Sequence, residues 1–185
     1  MFQPGGPGTA ELVEVLHEAV VGPGDPVVIP TALTSKVSFE GELAVIIGRM
    51  CKDIEPEEAK KVIFGYTIAN DVTARDLQRG DGQWARAKGF DTFCPLGPWI
   101  ETDLDPQDVS ITTLRDGEVV QDGHSSDMVH GVAALISHAS RSFTLLPGDV
   151  ILTGTPEGVG PVQPGQRVSV EVQDIGTLTN PYVRH

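Results

Sequence analysis

Basic residues are scarce in this chain: 13 Lys and Arg stand against 26 Asp and Glu, which gives a net charge of −13. Nucleic-acid binding needs a basic face that neutralises phosphates, so we expect no nucleic-acid partner. The same negative field repels a small carboxylate substrate unless cations at the binding site offset it. For such a substrate, a metal ion and an arginine or lysine at the site would supply the offset.

Cysteines and long apolar runs are also few. Cys51 and Cys94 are the only cysteines, and no apolar run approaches the ~20 residues that a membrane-spanning helix needs. The first residues lack the basic and apolar regions of a signal peptide. We therefore expect a cytoplasmic protein with no membrane contact and two free thiols.

Short apolar runs separated by turn residues predict a mostly β domain with a few helices. Glycine and proline are abundant, at 21 and 14 residues. Strands are predicted over residues 27–29, 36–47, 64–70, 99–101, 111–114, 149–153 and 167–172. Helices are predicted over residues 9–19, 56–63 and 129–142, and Asp116-Gly117 is typical of a hairpin turn. The length of 185 residues suits a single domain.

Two acidic residues interrupt an apolar run, and a third ends another. Glu40 and Glu42 lie in the run from residue 37 to residue 48, and Asp71 closes the run that starts at residue 65. Carboxylates at positions i and i+2 of a strand point to the same face and repel each other unless a cation lies between them. With Asp71 they would form an oxygen-only site for Mg²⁺ or Mn²⁺, one ion per chain, with about three positions open to water or substrate. The alternative is that both glutamates form the solvated edge of an amphipathic strand.

Polar residues that follow Asp71 are candidates for substrate binding and catalysis. If the segment after Asp71 is helical, Arg75 and Gln78 lie on the same face as the aspartate. Arg75 could then bind a substrate carboxylate through two hydrogen bonds, or it could form an ion pair with Asp71. Lys88 lies among apolar residues, where a nearby metal would lower its pKa and allow proton transfer; a surface lysine is the alternative.

Thr155 lies in a glycine-rich loop after a predicted strand. The glycines could leave backbone N–H groups free to face an anion, although a tight turn is the simpler interpretation. The loop has neither the lysine nor the glycine spacing of the nucleotide-binding motifs. Cys94 precedes a proline and has no adjacent histidine, so we interpret it as a packed thiol and not as a nucleophile.

Four motifs in order resemble the fumarylacetoacetate hydrolase family. They are Phe39-Glu-Gly-Glu-Leu-Ala-Val-Ile-Ile-Gly48, Gly65-Tyr-Thr-Ile-Ala-Asn-Asp-Val-Thr-Ala-Arg-Asp76, Lys88-Gly-Phe-Asp-Thr-Phe-Cys-Pro-Leu-Gly-Pro98 and Leu152-Thr-Gly-Thr-Pro-Glu-Gly-Val-Gly160. The resemblance runs from about Val21 to Arg184. It implies a mixed β-roll or β-sandwich fold that pairs as a homodimer and holds a divalent metal.

The resemblance also assigns roles to individual residues. Glu40, Glu42 and Asp71 would be the metal ligands. Arg75, Gln78 and Lys88 would be catalytic and would also bind substrate, and Thr155 would bind substrate. Residues 21–185 would form the catalytic domain, and residues 1–20, rich in glycine and proline, an atypical flexible segment.

The beginning of the chain departs from the family pattern. Close members carry an Asn-Tyr-x-x-His-x-x-Glu stretch upstream of the segment equivalent to residues 21–25, where it folds over the site and activates water in the hydrolytic members. Glu14 and His17 have the right chemical types but the reversed order, and they lie too near Val21 to be equivalent. This departure puts water activation in doubt and leaves metal binding unaffected.

The implied function is a metal-dependent enzyme acting on a small 2-oxo acid through an enolate. The primary prediction is hydrolysis of a C–C bond in an acylpyruvate or fumarylpyruvate. The alternatives are isomerisation of a 2-hydroxyhepta-2,4-diene-1,7-dioate type of diacid, decarboxylation of oxaloacetate, and binding of an oxo acid without turnover. Without the Asn-Tyr-x-x-His-x-x-Glu stretch, isomerisation and decarboxylation become more favoured, because only hydrolysis strictly requires an activated water.

Overall fold

A computed structural model describes residues 17–185, in which short strands predominate over helices. The strands are β1 (Val20–Val21), β2 (Val27–Ile29), β3 (Val37–Ser38), β4 (Gly41–Ile47), β5 (Ile63–Asn70), β6 (Thr73–Ala74), β7 (Cys94–Glu101), β8 (Ser110–Arg115), β9 (Glu118–His124), β10 (Val150–Leu152), β11 (Arg167–Val172) and β12 (Gly176–Arg184). The α-helices are α1 (Arg75–Asp81), α2 (Ala85–Lys88) and α3 (Val132–Ser142). Short 3-10 helices cover His17–Ala19, Pro56–Lys61 and Ser125–Asp127.

Two mixed five-stranded sheets form the framework, and a short pair, β3 with β6, lies beside them. The first sheet has the order β1-β7-β5-β4-β10 and the second has the order β2-β12-β11-β8-β9. Most neighbours are antiparallel, whereas β1 with β7 and β2 with β12 are parallel. This arrangement confirms the mostly β fold predicted from the sequence.

Both sheets contribute to one hydrophobic core. Leu43 and Ile68 come from the first sheet, Val170 and Tyr182 from the second, and Phe39 from the turn between β3 and β4; all five are fully buried. Strand β4 is buried along its whole length and β5 along most of its length, because they are interior strands covered on both faces. Any polar residue on these two strands is therefore removed from water.

Several predicted elements differ in their boundaries. The strand predicted over residues 36–47 is broken at Phe39 and Glu40, because the N–H of Glu40 donates to the side chain of Asn70 instead of to a neighbouring strand. The segment from residue 56 forms a 3-10 helix and not an α-helix, and α3 begins at Val132, three residues later than predicted. Strand β7 is longer than the predicted residues 99–101, because it begins at Cys94 and includes Pro95 and Pro98.

Other predictions on local structure are confirmed or lie outside the described residues. Strand β5 matches the predicted strand, and Asp116 and Gly117, both with positive φ, form the turn between β8 and β9. The helix predicted from residue 9 falls almost wholly outside the described residues, and its last residues, 17–19, form a 3-10 helix. Of the segment predicted to be flexible, only residues 17–20 are described, and Val20 pairs with Cys94.

Cys51 and Cys94 are both buried and free, as expected. Burial raises the pKa of Cys94 to about 12, and the nearby carboxylates of Asp71 and Glu42 add to the increase. This thiol therefore stays protonated at neutral pH, which agrees with a packed residue. Within residues 17–185, no helix combines the length and the apolar character that crossing a bilayer would demand.

Candidate active site

Three carboxylates meet where β4 begins and β5 ends. Because the two strands are antiparallel and Gly41 pairs with Asn70, the glutamates that flank Gly41 lie next to Asp71. One oxygen from each of Glu40, Glu42 and Asp71 lies within 4.8 Å of the others. Only 3% of Glu42 is exposed, which rules out the solvated strand edge considered as the alternative.

Backbone and amide hydrogen bonds fix these acids in place. The N–H of Glu40 donates to Asn70 Oδ1 at 3.0 Å, and the N–H of Asp71 donates to the carbonyl of Glu40 at 2.8 Å. Asn70 in turn donates to the hydroxyl of Tyr182 at 3.0 Å. Glu42 Oε2 accepts the N–H of Gly154 at 2.6 Å, which ties the cluster to the glycine-rich loop. These hydrogen bonds therefore stabilise the break in the predicted strand, and the break directs Glu40 toward the other two acids.

Lys88 lies inside the carboxylate cluster and not on the surface. Its residue is 5% exposed, and Nζ donates to Glu40 Oε2 at 2.8 Å, to Thr73 Oγ1 at 3.0 Å and to Asp71 Oδ2. The short helix α2 ends at Lys88, so the side chain leaves the helix terminus toward the ends of β4 and β5. This placement excludes the plain surface lysine that the sequence left open.

Arg75 binds Glu40 and not Asp71, the partner considered as the alternative to substrate binding. Helix α1 begins at Arg75, so Asp71 precedes the helix and does not share its face. The guanidinium pairs with Glu40 Oε1, and it also donates to Ser38 Oγ at 2.7 Å and to Gln78 Oε1 at 2.9 Å. The ion pair with Asp71, considered as the alternative, is therefore not formed, whereas the expected proximity of Arg75 and Gln78 is present.

Thr155 lies beside the same cluster, and its hydroxyl already has partners. The hydroxyl donates to the carbonyl of Gly41 at 2.9 Å and accepts from Gln121 Nε2 at 2.8 Å. With its single proton bound to Gly41, the side chain has no proton left for an anion in this arrangement. Any donation by Thr155 to a substrate oxygen would require the hydroxyl to leave Gly41.

Burial and acidic neighbours raise the pKa values of two of the acids, whereas nearby cations lower that of the third. Burial raises the pKa of Glu42 well above its usual range, and the charges of Asp71 and Glu40 raise it further. Burial also raises the pKa of Asp71, to about 6, although Lys88 opposes the shift. Glu40 is buried as well, but Lys88 and Arg75 outweigh that effect and lower its pKa.

The same interactions act on Lys88. Burial works to lower its pKa, yet the charges and hydrogen bonds of Asp71 and Glu40 outweigh it and raise the pKa. The lowered pKa expected from the sequence referred to a lysine beside a metal ion, whereas here the neighbours are carboxylates. Three carboxylates against the two cations of Arg75 and Lys88 leave one formal negative charge in excess when all are ionised.

The donor set fits a hard divalent cation. Asp71 Oδ1 is buried and has no hydrogen-bond partner, which is costly unless a further group binds it. All three groups offer carboxylate oxygens, the ligand type of Mg²⁺ and Mn²⁺, and the pKa of Glu42 is raised by burial and by repulsion from its acidic neighbours, both of which a cation would offset. Glu40, Glu42 and Asp71 are therefore the residues that would hold the metal.

The raised pKa of Asp71 predicts how stability depends on pH without metal. A carboxyl whose pKa moves from 3.8 to about 6 on folding contributes stability that is complete below pH 3.8 and is lost as the pH rises through 6. We expect this residue to lower the free energy of unfolding by at most about 3 kcal/mol between pH 4 and 8. Urea denaturation in EDTA would measure it, and Asp71→Asn should flatten the slope; an unchanged slope in that variant would contradict the assignment.

The family of the chain follows from comparison with known proteins. A family model described as fumarylacetoacetate hydrolase, C-terminal, matches residues 7–183. The chain belongs to the fumarylacetoacetate hydrolase family. The match extends over nearly the whole chain and confirms the resemblance that the four motifs indicated.

Solved structures of this family share the fold. The chain is 52% identical to 5-carboxymethyl-2-hydroxymuconate delta-isomerase from Mycobacterium smegmatis, with a TM-score of 0.91 over 96% of this chain and 73% of that one. It is 56% identical to 2-hydroxyhepta-2,4-diene-1,7-dioate isomerase from Mycobacterium marinum, with a TM-score of 0.89 over 90% of this chain and 66% of that one. These structures confirm the architecture that the resemblance implies.

Other family members carry different named activities. An oxaloacetate tautomerase of Xenopus laevis is 44% identical over 89% of this chain and 55% of its own length. A maleylpyruvate hydrolase from Sphingobium, solved with manganese and pyruvate, is 38% identical, with a TM-score of 0.83 over 90% of this chain and 62% of that one. The chain spans 64% to 66% of the length of the first curated relatives that it matches. Family membership is therefore established, and the reaction is not fixed by it.

Three residues that sequence reasoning missed contribute to the site. Asn70 and Thr73 lie on either side of Asp71, within a motif that carried the resemblance, so their positions were a usable signal. Gln121 has no such signal, because it lies in an ordinary alternating strand far along the chain. Only the fold brings it against Gly41 and Thr155.

Proposed function

We propose that this chain catalyses proton transfer at the carbon next to the carbonyl of a small 2-oxo acid, as in keto–enol tautomerisation or double-bond isomerisation. The observation that carries the proposal is Lys88, a buried ammonium group in contact with two of the three carboxylates. A lysine enclosed in this way is suited to hold a proton where an enolate forms. The named isomerases and the tautomerase among the relatives support the same reaction class.

The residues around the cluster would divide the work. A divalent cation held by Glu40, Glu42 and Asp71 would supply Lewis-acid stabilisation of negative charge on the substrate oxygen. Lys88 Nζ would carry the proton to or from the carbon. Glu40 and Asp71 would keep that amine in place through the hydrogen bonds described above.

Arg75 and Gln78 would orient the site and contact the substrate. A guanidinium has five N–H donors, and three of those of Arg75 are used by Ser38, Gln78 and Glu40. The two that remain could bind a substrate carboxylate, which is the partner that an acidic protein would otherwise repel. Gln78 would support this by holding one edge of the guanidinium.

Hydrolysis of an acylpyruvate is the second candidate. The similarity to maleylpyruvate hydrolase, a structure that contains manganese and pyruvate, favours it. Cleavage would use the same enolate and would add the attack of an activated water on the acyl carbon.

Pairing of two copies as a homodimer, implied by the resemblance, stays a prediction.

A substrate panel with Mg²⁺ or Mn²⁺ would test the proposal. We expect turnover of the enol of oxaloacetate or of a 2-hydroxymuconate-type diacid. The ultraviolet absorbance of the enol would measure the rate. Lys88→Met should lower the rate by at least about 100-fold, since a positioned proton donor typically contributes that much.

Lys52→Met is the matched control. Lys52 Nζ donates to the carbonyl of Arg141 at 2.9 Å on the exposed surface, so its loss should leave the rate unchanged. Cleavage of an acylpyruvate at a rate exceeding proton transfer would favour the hydrolase. Oxalate binding without turnover of any substrate would make the chain a binding protein and overturn the proposal.

A further inference from the structure

Gln121 carries a buried amide on a strand whose other residues are exposed or partly exposed to solvent. Strand β9 lies at the edge of the second sheet, and Gln121 is its one fully buried residue, at 1% exposure. A buried amide loses its hydrogen bonds to water, so such a position normally favours an apolar side chain. A polar side chain buried here therefore needs hydrogen-bond partners within the protein to replace water.

Each polar group of the Gln121 side chain is bound. Oε1 accepts the N–H of Gly41 at 3.1 Å, and Nε2 donates to Thr155 Oγ1 at 2.8 Å and to the carbonyl of Pro156 at 2.9 Å. The hydroxyl of Thr155 then donates to the carbonyl of Gly41 at 2.9 Å. Gln121, Thr155 and Gly41 therefore form a closed ring of hydrogen bonds.

This ring joins the two segments that build the acidic cluster. Gly41 is the residue between Glu40 and Glu42, and both its N–H and its carbonyl belong to the ring. Thr155 follows Gly154, whose N–H binds Glu42 Oε2. A shift of the loop relative to Gly41 would therefore move a carboxylate of the cluster.

The segments that carry the ring are closely packed. A side chain at Gly41 would place its Cβ 2.1 Å from Thr113 Oγ1, and Thr113 is the residue paired with Gln121 across the sheet. A side chain at Gly158 would place its Cβ 2.1 Å from the carbonyl oxygen of Val120, next to Gln121. The loop is thus packed against β9, and the Gly41 segment is packed against the neighbouring strand β8.

We propose that Gln121 is a positioning residue that sets the spacing between the Glu40–Glu42 segment and the loop at residues 154–156. Through Gly41 it orients the glutamates toward a divalent cation, and through Thr155 it fixes the loop that faces the substrate. This inference rests on the proposed function, because it deepens the account of the same site. Gln121 itself touches neither the reacting atoms nor the carboxylates.

Mn²⁺ affinity is the readout that separates positioning from general stability. In Gln121→Met, which keeps the length of the side chain and removes its hydrogen bonds, we expect the Kd for Mn²⁺ to rise by about 10- to 100-fold, the usual cost of losing a group that orients metal ligands. Electron paramagnetic resonance of free Mn²⁺ measures that Kd without any turnover. The affinity of the manganese-loaded protein for oxalate would test whether Gln121 also positions the loop at residues 154–156.

Asn180→Leu provides the matched control. Asn180 is equally buried, and its amide donates to the carbonyls of Gly22 and Asp25, away from the acids. We expect this variant to lower the melting temperature and to leave the Kd for Mn²⁺ unchanged. An unchanged Kd in Gln121→Met as well would overturn the inference.

Thr155→Val keeps the test decisive if Gln121→Met does not fold. It removes the hydroxyl from the ring and leaves every carboxylate in place, so a positioning ring predicts weaker Mn²⁺ binding. A Kd equal to that of wild type would contradict the ring. Failure of the wild-type protein to bind Mn²⁺ would instead overturn the proposed function, on which this inference depends.

Discussion

Glu42→Gln should remove the metal site and leave the metal-free protein at least as stable as wild type at pH 8. The two effects have one cause, because Glu42 is a buried carboxylate whose pKa is raised well above its usual range by burial and by its acidic neighbours. Glutamine has the same shape and can still accept the N–H of Gly154, but it carries no charge to bury. It also brings no charge to a cation, so Mn²⁺ affinity should fall by at least about 100-fold and the turnover should fall with it.

Two measurements on the same variant would check this result. Urea denaturation in EDTA gives the stability of the metal-free protein, and Mn²⁺ titration gives the affinity. Glu118→Gln, an exposed glutamate of β9, is the control and should leave both quantities unchanged. If Glu42→Gln destabilised the metal-free protein strongly, or bound Mn²⁺ as wild type does, Glu42 would not be the buried ligand described here.

Lys88→Met should destabilise the metal-free protein by about 3–5 kcal/mol at pH 8, the range found when one partner of a buried ion pair is removed. Lys88 is the cation that faces both Glu40 and Asp71, so its loss leaves Asp71 without an ion-pair partner and Glu40 with Arg75 alone. Because a protonated Asp71 needs no counter-charge, the loss should be smaller at pH 5, below the pKa of about 6.

Saturating Mn²⁺ separates this effect from ordinary loss of packing. A divalent cation among the acids would replace the missing ammonium charge, so the loss of stability relative to wild type should shrink when both proteins are loaded. Thermal melts with EDTA and with Mn²⁺ measure the difference, and Lys52→Met serves again as the exposed control. An equal loss with and without Mn²⁺ would assign to Lys88 a packing role only.

The sequence was most informative where chemistry and strand pattern coincide. Glu40, Glu42 and Asp71 were expected together because acids inside apolar runs are rare, and the antiparallel pairing of β4 with β5 brings them together. Predictions based on continuous periodicity were less successful. The strand through Glu40 is broken because the side chain of the distant Asn70 accepts its N–H. Helix α1 begins only at Arg75 and so excludes Asp71.

The contacts that could not be predicted join residues far apart in the chain. Gln121 reaches Gly41 across 80 positions, and nothing near either residue indicates the other. Arg75 also pairs with Glu40 and not with Asp71, which is nearer in the sequence. This pairing depends on how β3 pairs with β6 and on where α1 begins. Ligand types can be recognised from local sequence, whereas the partners that orient them are settled only by the packing of both sheets.

The parallel pairing of β2 with β12 has a consequence for biosynthesis. Strand β12 lies between β2 and β11, so residues 27–29 have no partner in the second sheet until residues 182–184 arrive. Such distant pairing slows folding, because a long loop must close before the contacts form. On the ribosome, β2 must therefore wait until residues 182–184 have emerged before it can pair within this sheet, and its valines lack that pairing in the interval.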